Sequence, residues 1–265
     1  MEFDIMQIRE RVWRILDREA DSFYLIEGDH AAAVIDTGIT RGEKITPMLR
    51  TLTDKPLILL VTHAHEDHFY HMDEFETVYM CHDELQMPDC FLREMMCGKA
   101  LNLWETINID TDSRIDLGNR TLEICKISGH TPGSIAVYDS MDDLVFTGDA
   151  IGSGCGVWMQ LTGSTSLAEY EENLISFLRW LLERTVSPEF WGGHCMQRWQ
   201  SAKIPGDNPV TIGLLADLID LVHGLIEGSV HNWHIDLPPG LRAGEEARNA
   251  AFGRAEITYN PENLR

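Results

Sequence analysis

Six consecutive residues, His63-Ala64-His65-Glu66-Asp67-His68, carry five ionisable side chains. Neutral imidazole nitrogens bind divalent transition metals, and an aspartate adds an oxygen ligand. In an extended segment residues i and i+2 face the same side, so His63 and His65 can aim at one ion. If the chain then turns into a helix, Asp67 and His68 project elsewhere and can reach a second ion. A solvated polar loop is the ordinary reading of a charged run. Directly after the apolar run Leu57–Val61, however, five such groups suit neither a core nor a surface.

Three more ligand types stand alone downstream, each where an apolar segment runs out. They are His130 in Ser128-Gly129-His130-Thr131-Pro132-Gly133-Ser134, Asp149 in Phe146-Thr147-Gly148-Asp149-Ala150, and His194 in Trp191-Gly192-Gly193-His194. Open α/β sheets build sites at such strand ends. Taken singly, each reads equally well as a turn; taken with the first cluster, they read as one metal site. Cys195 beside His194 invites a nucleophile, but a buried free thiol is usually inert.

The elements that must position these residues follow from periodicity. Short apolar, β-branched or aromatic segments at Val12–Leu16, Ser22–Glu27 and Ala31–Ile35 read as strands, with Gly28-Asp29 a hairpin signal. Arg41–Leu52 has helical spacing, Leu57–Val61 is a buried strand and Thr77–Cys81 another, and His82–Ala100 reads as helix broken near Pro88. Arg114–Leu117, Thr121–Ile127, Ser134–Asp139 and Leu144–Thr147 form a second block of strands. Ser166–Arg184 is an amphipathic helix with a Ser or Thr cap, Pro188–Trp191 leads into the late His, and Ile212–Ile226 is a further helix. Strands and a helix, then strands and a helix again, predict an α/β (α+β) architecture in which two sheets stack face to face with helices outside, a four-layer αββα sandwich. We expect residues 1–265 to form one domain, with 200–250 a helical and loop elaboration and 255–259 a final strand.

Composition narrows the function. Lys and Arg total 21 against 43 Asp and Glu, a net charge of -22, and there is no Lys/Arg cluster. Nucleic-acid binding needs phosphates neutralised by cations, so a polyanion is a poor substrate. No stretch approaches the roughly 20 apolar residues of a membrane span, and Met1-Glu2-Phe3-Asp4 does not open a secretory signal. The six Cys form no C-x-x-C pair and read as free thiols of a cytoplasmic protein.

The set Asp36, His63-x-His65-x-Asp67-His68, His130, Asp149 and His194 strongly resembles the five motifs of the metallo-β-lactamase superfamily, over most of residues 10 to 200. The resemblance implies the αββα fold. It also implies that His63, His65 and His130 hold one metal and Asp67, His68 and His194 the other, with Asp149 bridging both and Asp36 supporting a ligand from behind. The implied cofactors are two divalent ions, zinc foremost, with iron or manganese as alternatives. Two such ions roughly 3.5–4 Å apart acidify a bridging water into an attacking hydroxide, and Asp67 serves as the catalytic carboxylate that accepts or passes on a proton.

Many relatives follow the last His of the cluster with two glycines, where this chain has Phe69-Tyr70-His71-Met72. Phe69, His71 and Met72 read as packing residues, whereas Tyr70 and Trp158, the latter in the glycine-rich segment 151–160, are candidate substrate contacts. Length, the G-H-T-P-G-S loop and the helical C-terminal part resemble the glyoxalase II-like branch. No glutathione-binding positions can be matched, and the His231–His234 cluster reads as a packed or exposed loop. The expected function is a dinuclear metal-dependent hydrolase of a small-molecule ester, thioester or lactone, with a homodimer as a possible assembly. An iron-dependent oxidoreductase of the persulfide dioxygenase or flavodiiron kind is the alternative on the same fold. A nuclease or phosphodiesterase ranks lower.

Overall fold

The computed structural model describes residues 3–153, 156–195, 210–238, 241, 244 and 246–265. Seven strands form the first sheet in sequence order: β1 (Asp4–Arg9), β2 (Val12–Leu16), β3 (Ser22–Glu27), β4 (Ala32–Ile35), β5 (Leu57–Leu60), β6 (Val78–Met80) and β7 (Ile107–Asn108). The first four pair antiparallel and the rest parallel. The chain continues through β8 (Arg114–Asp116), β9 (Thr121–Lys126), β10 (Ile135–Asp139) and β11 (Leu144–Gly148). It then passes β12 (Val157–Met159), which belongs to a third sheet, and β13 (Glu189–Gly192) returns to lie parallel to β11, giving the second sheet the order β13-β11-β10-β9-β8.

Period-two alternation explains why these sheets stack. In β3, Tyr24 and Ile26 enter a core shared with the second sheet, while Phe23 and Leu25 enter the core on the opposite face. In β10, Ile135 and Val137 join the shared core, while Ala136 and Tyr138 face outward. Helices close the outer faces: α1 (Thr46–Leu49), α2 (Glu66–Phe69) and α3 (Asp89–Met95) over the first sheet and α4 (Leu167–Leu182) over the second, with α5 (Ile212–Ile226) packed against α4 and the third sheet. Ser166 caps α4 by accepting from the Glu169 N–H at 3.2 Å. The fold is therefore the four-layer arrangement expected. No helix among the described residues is long and apolar enough to cross a membrane.

Several segments differ from expectation, among them the short strands β7 and β12, which carry no strand signal in the sequence. The helix expected over 41–52 shrinks to α1, because the Glu74 carboxylate takes the Ile45 and Thr46 N–H groups and Pro47 fixes the first turn. The segment expected as a helix over 82–100 does break at Pro88, as expected, but its first part is a 3₁₀ turn, His82–Gln86, and its second, α3, ends at Met95. β1 is a largely exposed edge strand without an apolar period. Finally, β14 (Asn232–Ile235) and β15 (Ala247–Phe252) stand where helix or loop is expected between 200 and 250. They pair antiparallel with each other, and β16 (Ala255–Tyr259) joins β15 to β12. Residues 200–209, 239–240, 242–243 and 245 of that stretch lie outside the described residues.

Candidate metal centre

Strand ends from both sheets meet at one rim of the sandwich. β5 delivers His63, and the chain turns into α2 with His65 in extended conformation just before it. The two sides of this turn thus project His63 and His65 one way and Asp67 and His68 another. β9 ends shortly before His130, β11 just before Asp149, and β13 just before Gly193-His194. Gly193 permits the last approach, since a Cβ there would lie 2.6 Å from both Asp149 Oδ1 and His68 Cε1. Three sets of potential ligands result: His63, His65 and His130; His63, His68 and Asp149; and Asp67, His68 and His194. Within each set the ligand atoms lie within 4.8 Å of one another. All seven expected ligand side chains therefore converge.

Hydrogen bonds behind the rings fix which nitrogen faces inward. Thr62 gives its single hydroxyl proton to Asp36 Oδ2 at 2.8 Å, so His63 Nδ1–H must donate to Thr62 Oγ1 at 3.1 Å. His130 Nδ1–H donates to the Trp158 carbonyl at 2.7 Å. Both Nε2 atoms are then bare lone pairs, and they face His65 Nδ1 at 3.1 and 3.0 Å. His65 can donate to only one of them. Buried lone pairs held this close repel unless a cation lies between them, so the residues present fit a metal ion. In the other half, His68 Nδ1 bonds Asp36 Oδ2 at 2.8 Å and His194 Nδ1 bonds Asp21 Oδ1 at 2.9 Å. His68 Nε2 makes no hydrogen bond among the described residues, although Asp67 Oδ2 and Asp149 Oδ2 lie 3.3 and 3.8 Å away. His194 Nε2 lies 3.0 Å from Asp149 Oδ2 and 3.5 Å from Asp67 Oδ2.

Electrostatics divide the site in two. Burial, helped by neighbouring imidazoles, holds His63 well below its ordinary value and His65 at about 3; burial lowers His130 as well. These three rings are neutral, as metal ligation requires. Burial also opposes charge on His68 and His194, but the facing carboxylates outweigh it and raise both well above the ordinary histidine value. Burial pushes Asp67 and Asp149 up; the facing histidines outweigh it and hold both below the usual carboxylate range.

Asp36, in the left-handed conformation at φ 62°, accepts from the Thr62 N–H and from His68, so it braces the site from behind. Trp158 lines the cavity in front of the site. Tyr70 is not among the lining residues; its ring lies under Lys99 Nζ, 4.3 Å from the centroid, and Arg41. His231 and His234 lie at β14, away from the ligand sets. Two residues carry no signal in the sequence. Asp21 is one acid before a strand, and Glu84 is a carboxylate in a turn, yet Glu84 is wholly buried behind two site loops. The cavity holds about 430 Å³ and pairs Asp67, His65, His130, Asp149 and His194 with an apolar wall of Ile39, Phe91, Met95, Trp158 and Leu161.

Known proteins share this architecture. The family model described as the metallo-beta-lactamase superfamily matches residues 17–90 and 100–189. An acyl-coenzyme A thioesterase from Bos taurus is 25% identical over 221 residues, 70% of this chain and 78% of that protein. A hydroxyacylglutathione hydrolase from Prochlorococcus marinus is 26% identical over 251 residues, 91% of this chain and 85% of that protein. The crystal structure of DIM-1 metallo-beta-lactamase superposes with a TM-score of 0.61 at 17% identity, covering 84% of this chain and 98% of that one, and so shares the fold.

Proposed function

The chain belongs to the metallo-beta-lactamase superfamily, and on that premise we propose that it hydrolyses an ester, thioester or lactone of a small molecule at two divalent ions, zinc foremost. The observation that carries this reading is the run of three overlapping ligand sets in which imidazole nitrogens and ionised carboxylates converge on one cavity. Divalent cations bound there supply Lewis-acid polarisation of a carbonyl oxygen and lower the pKa of water.

His63, His65 and His130 would hold one ion, and Asp67, His68 and His194 the other, with Asp149 between them. Thr62, Asp36, Asp21 and the Trp158 carbonyl hold the far nitrogens of four of these rings, so the inward nitrogens stay aimed without reorganisation. Asp67 is the carboxylate we assign to take up or pass on a proton at the cavity floor. It is ionised and, unlike His63, His68 and His130, partly open to solvent. The wall of Phe91, Met95, Trp158 and Leu161 suits an apolar acyl part.

The relatives named as an acyl-coenzyme A thioesterase and a hydroxyacylglutathione hydrolase support an acyl substrate and a place near the glyoxalase II-like branch. Steady-state assays of zinc-loaded protein against thioesters, lactones and a phosphodiester are the test. Turnover of an acyl substrate and not of the phosphodiester is expected; no turnover at full occupancy overturns the reading. Iron in protein purified without added metal would favour the oxidoreductase alternative.

A further inference from the structure

Glu84 lies in the 3₁₀ turn His82–Gln86, outside every ligand set, and is 0% exposed. Its carboxylate receives only donors, and they come from two separate loops. Oε2 accepts from the Ala64 N–H at 2.8 Å, between His63 and His65. Oε1 accepts from the Gly133 N–H at 2.7 Å and from the Thr131 hydroxyl, the residue after His130. Ser134 Oγ, 2.6 Å from Thr131 Oγ1, can complete the relay by donating to it. Gly133 is required for this approach: a Cβ there would stand 2.7 Å from the Glu84 backbone nitrogen and 2.9 Å from Oε1. Among the described residues, Glu84 makes no hydrogen bond to Asp67, His68, Asp149 or His194, nor to the loops that carry the last two. That half is braced by Asp36 and Asp21 instead.

We propose that Glu84 is a positioning residue that sets the spacing of the His63–His65 loop against the His130 loop, and so governs metal binding at that three-histidine set alone. The inference rests on the metal-site reading above. The physical reason is the all-donor environment. An isosteric glutamine has one acceptor oxygen and one NH₂ group. In either orientation of its amide, a buried backbone N–H, that of Ala64 or that of Gly133, faces another donor and is left unpaired. The two loops can relieve this only by moving apart, which takes His130 Nε2 away from His65 Nδ1.

The test isolates each half. Zinc affinity is measured by chelator competition for the full chain carrying His194→Ala, which keeps the three-histidine set, and for the chain carrying His130→Ala, which keeps Asp67, His68 and His194. Each background is compared with and without Glu84→Gln. The expected result is a loss of about 10–100-fold in the His194→Ala background, the range for residues that support ligands, and less than about threefold in the other. Equal losses in both, or no loss in either, overturn the proposal. Thr131→Val, which removes one donor and leaves the carboxylate, is the milder variant should Glu84→Gln fail to fold, and must show the same selectivity at smaller size. Failure of either single background to bind zinc at all would instead overturn the metal-site reading.

Discussion

Every ring in the candidate site owes its usefulness to what holds its far side. His68 and His194 are tied to carboxylates and look onto two more, so in the metal-free protein they keep protons at neutral pH. His63, His65 and His130 are tied to a hydroxyl, to each other or to a carbonyl, and burial keeps them neutral. A cation entering the first group must displace protons, whereas one entering the second displaces none. Raising the pH therefore strengthens binding only at the first. Zinc affinity of a His130→Ala protein is expected to rise by about tenfold or more per pH unit from pH 6 to 8, while that of a His194→Ala protein stays nearly flat. Isothermal titration in buffers of different ionisation enthalpy counts the protons directly, and equal slopes would refute the division. Asp21→Asn is expected to weaken the Asp67–His68–His194 set by about 10–100-fold and spare the other, read by the same titration. The candidate ligands were legible in the sequence because His and Asp in dense or glycine-bounded settings have few other uses. Asp21 was not, because one acid ahead of a strand looks like any turn residue, and its partner lies 173 positions away.

At the level of elements, α3 connects packing to specificity. Leu92 and Met96 are buried in the outer core, while Phe91 and Met95 line the cavity. On the proposed acyl reading, Met95→Trp fills part of the apolar wall, so kcat/KM for long acyl chains is expected to fall by roughly 10–200-fold, the worth of misfitted methylenes, with short acyl groups little affected. An acyl series with one leaving group measures it, and a uniform loss would remove Met95 from the wall. On the other face, α4 holds Leu174 and Phe177 against the second sheet and needs its first turn satisfied. Ser166→Ala is expected to cost about 1 kcal/mol in denaturant unfolding without changing zinc affinity. Elements of this kind read well from sequence: short apolar, β-branched or aromatic runs identified the buried strands, and the helical spacing of Leu174, Phe177 and Leu181 identified α4. Segments governed by distant partners did not. Glu74 truncates α1 by capturing its entry N–H groups from 28 residues away. β15, with the sequence Ala-Arg-Asn-Ala-Ala-Phe, has no clear period and becomes a strand because β14 and β16 supply its partners.

For the whole molecule, the site lies across the seam of the sandwich. His63, His65, Asp67 and His68 come from the first sheet, and His130, Asp149 and His194 from loops after strands of the second. The same rim is stitched by backbone bonds: Ser22 N–H to Gly193 O at 2.7 Å, Cys195 N–H to Ala20 O at 2.8 Å and Ile135 N–H to Thr62 O at 3.0 Å. Without a cation, the three-histidine part of this seam must hold bare imidazole nitrogens against one another. Metal bound only by the native state shifts the equilibrium by mass action, by about 4 kcal/mol when free metal is a thousandfold above Kd. For a chain of this size that corresponds to a rise in Tm of roughly 10 °C. The gain should be local in its kinetics. Chelation is expected to speed hydrogen exchange first at the Ser22, Thr62, Ile135, Gly193 and Cys195 amides, whose bonds cross or border the seam. Amides in the middle of α4, packed on the far side of the second sheet, should keep their protection until global unfolding. Exchange measured by mass spectrometry with and without zinc tests this. Uniform deprotection on chelation would show that the ions stabilise the fold as a whole, and that the seam is held closed by its cores and not by its metal site.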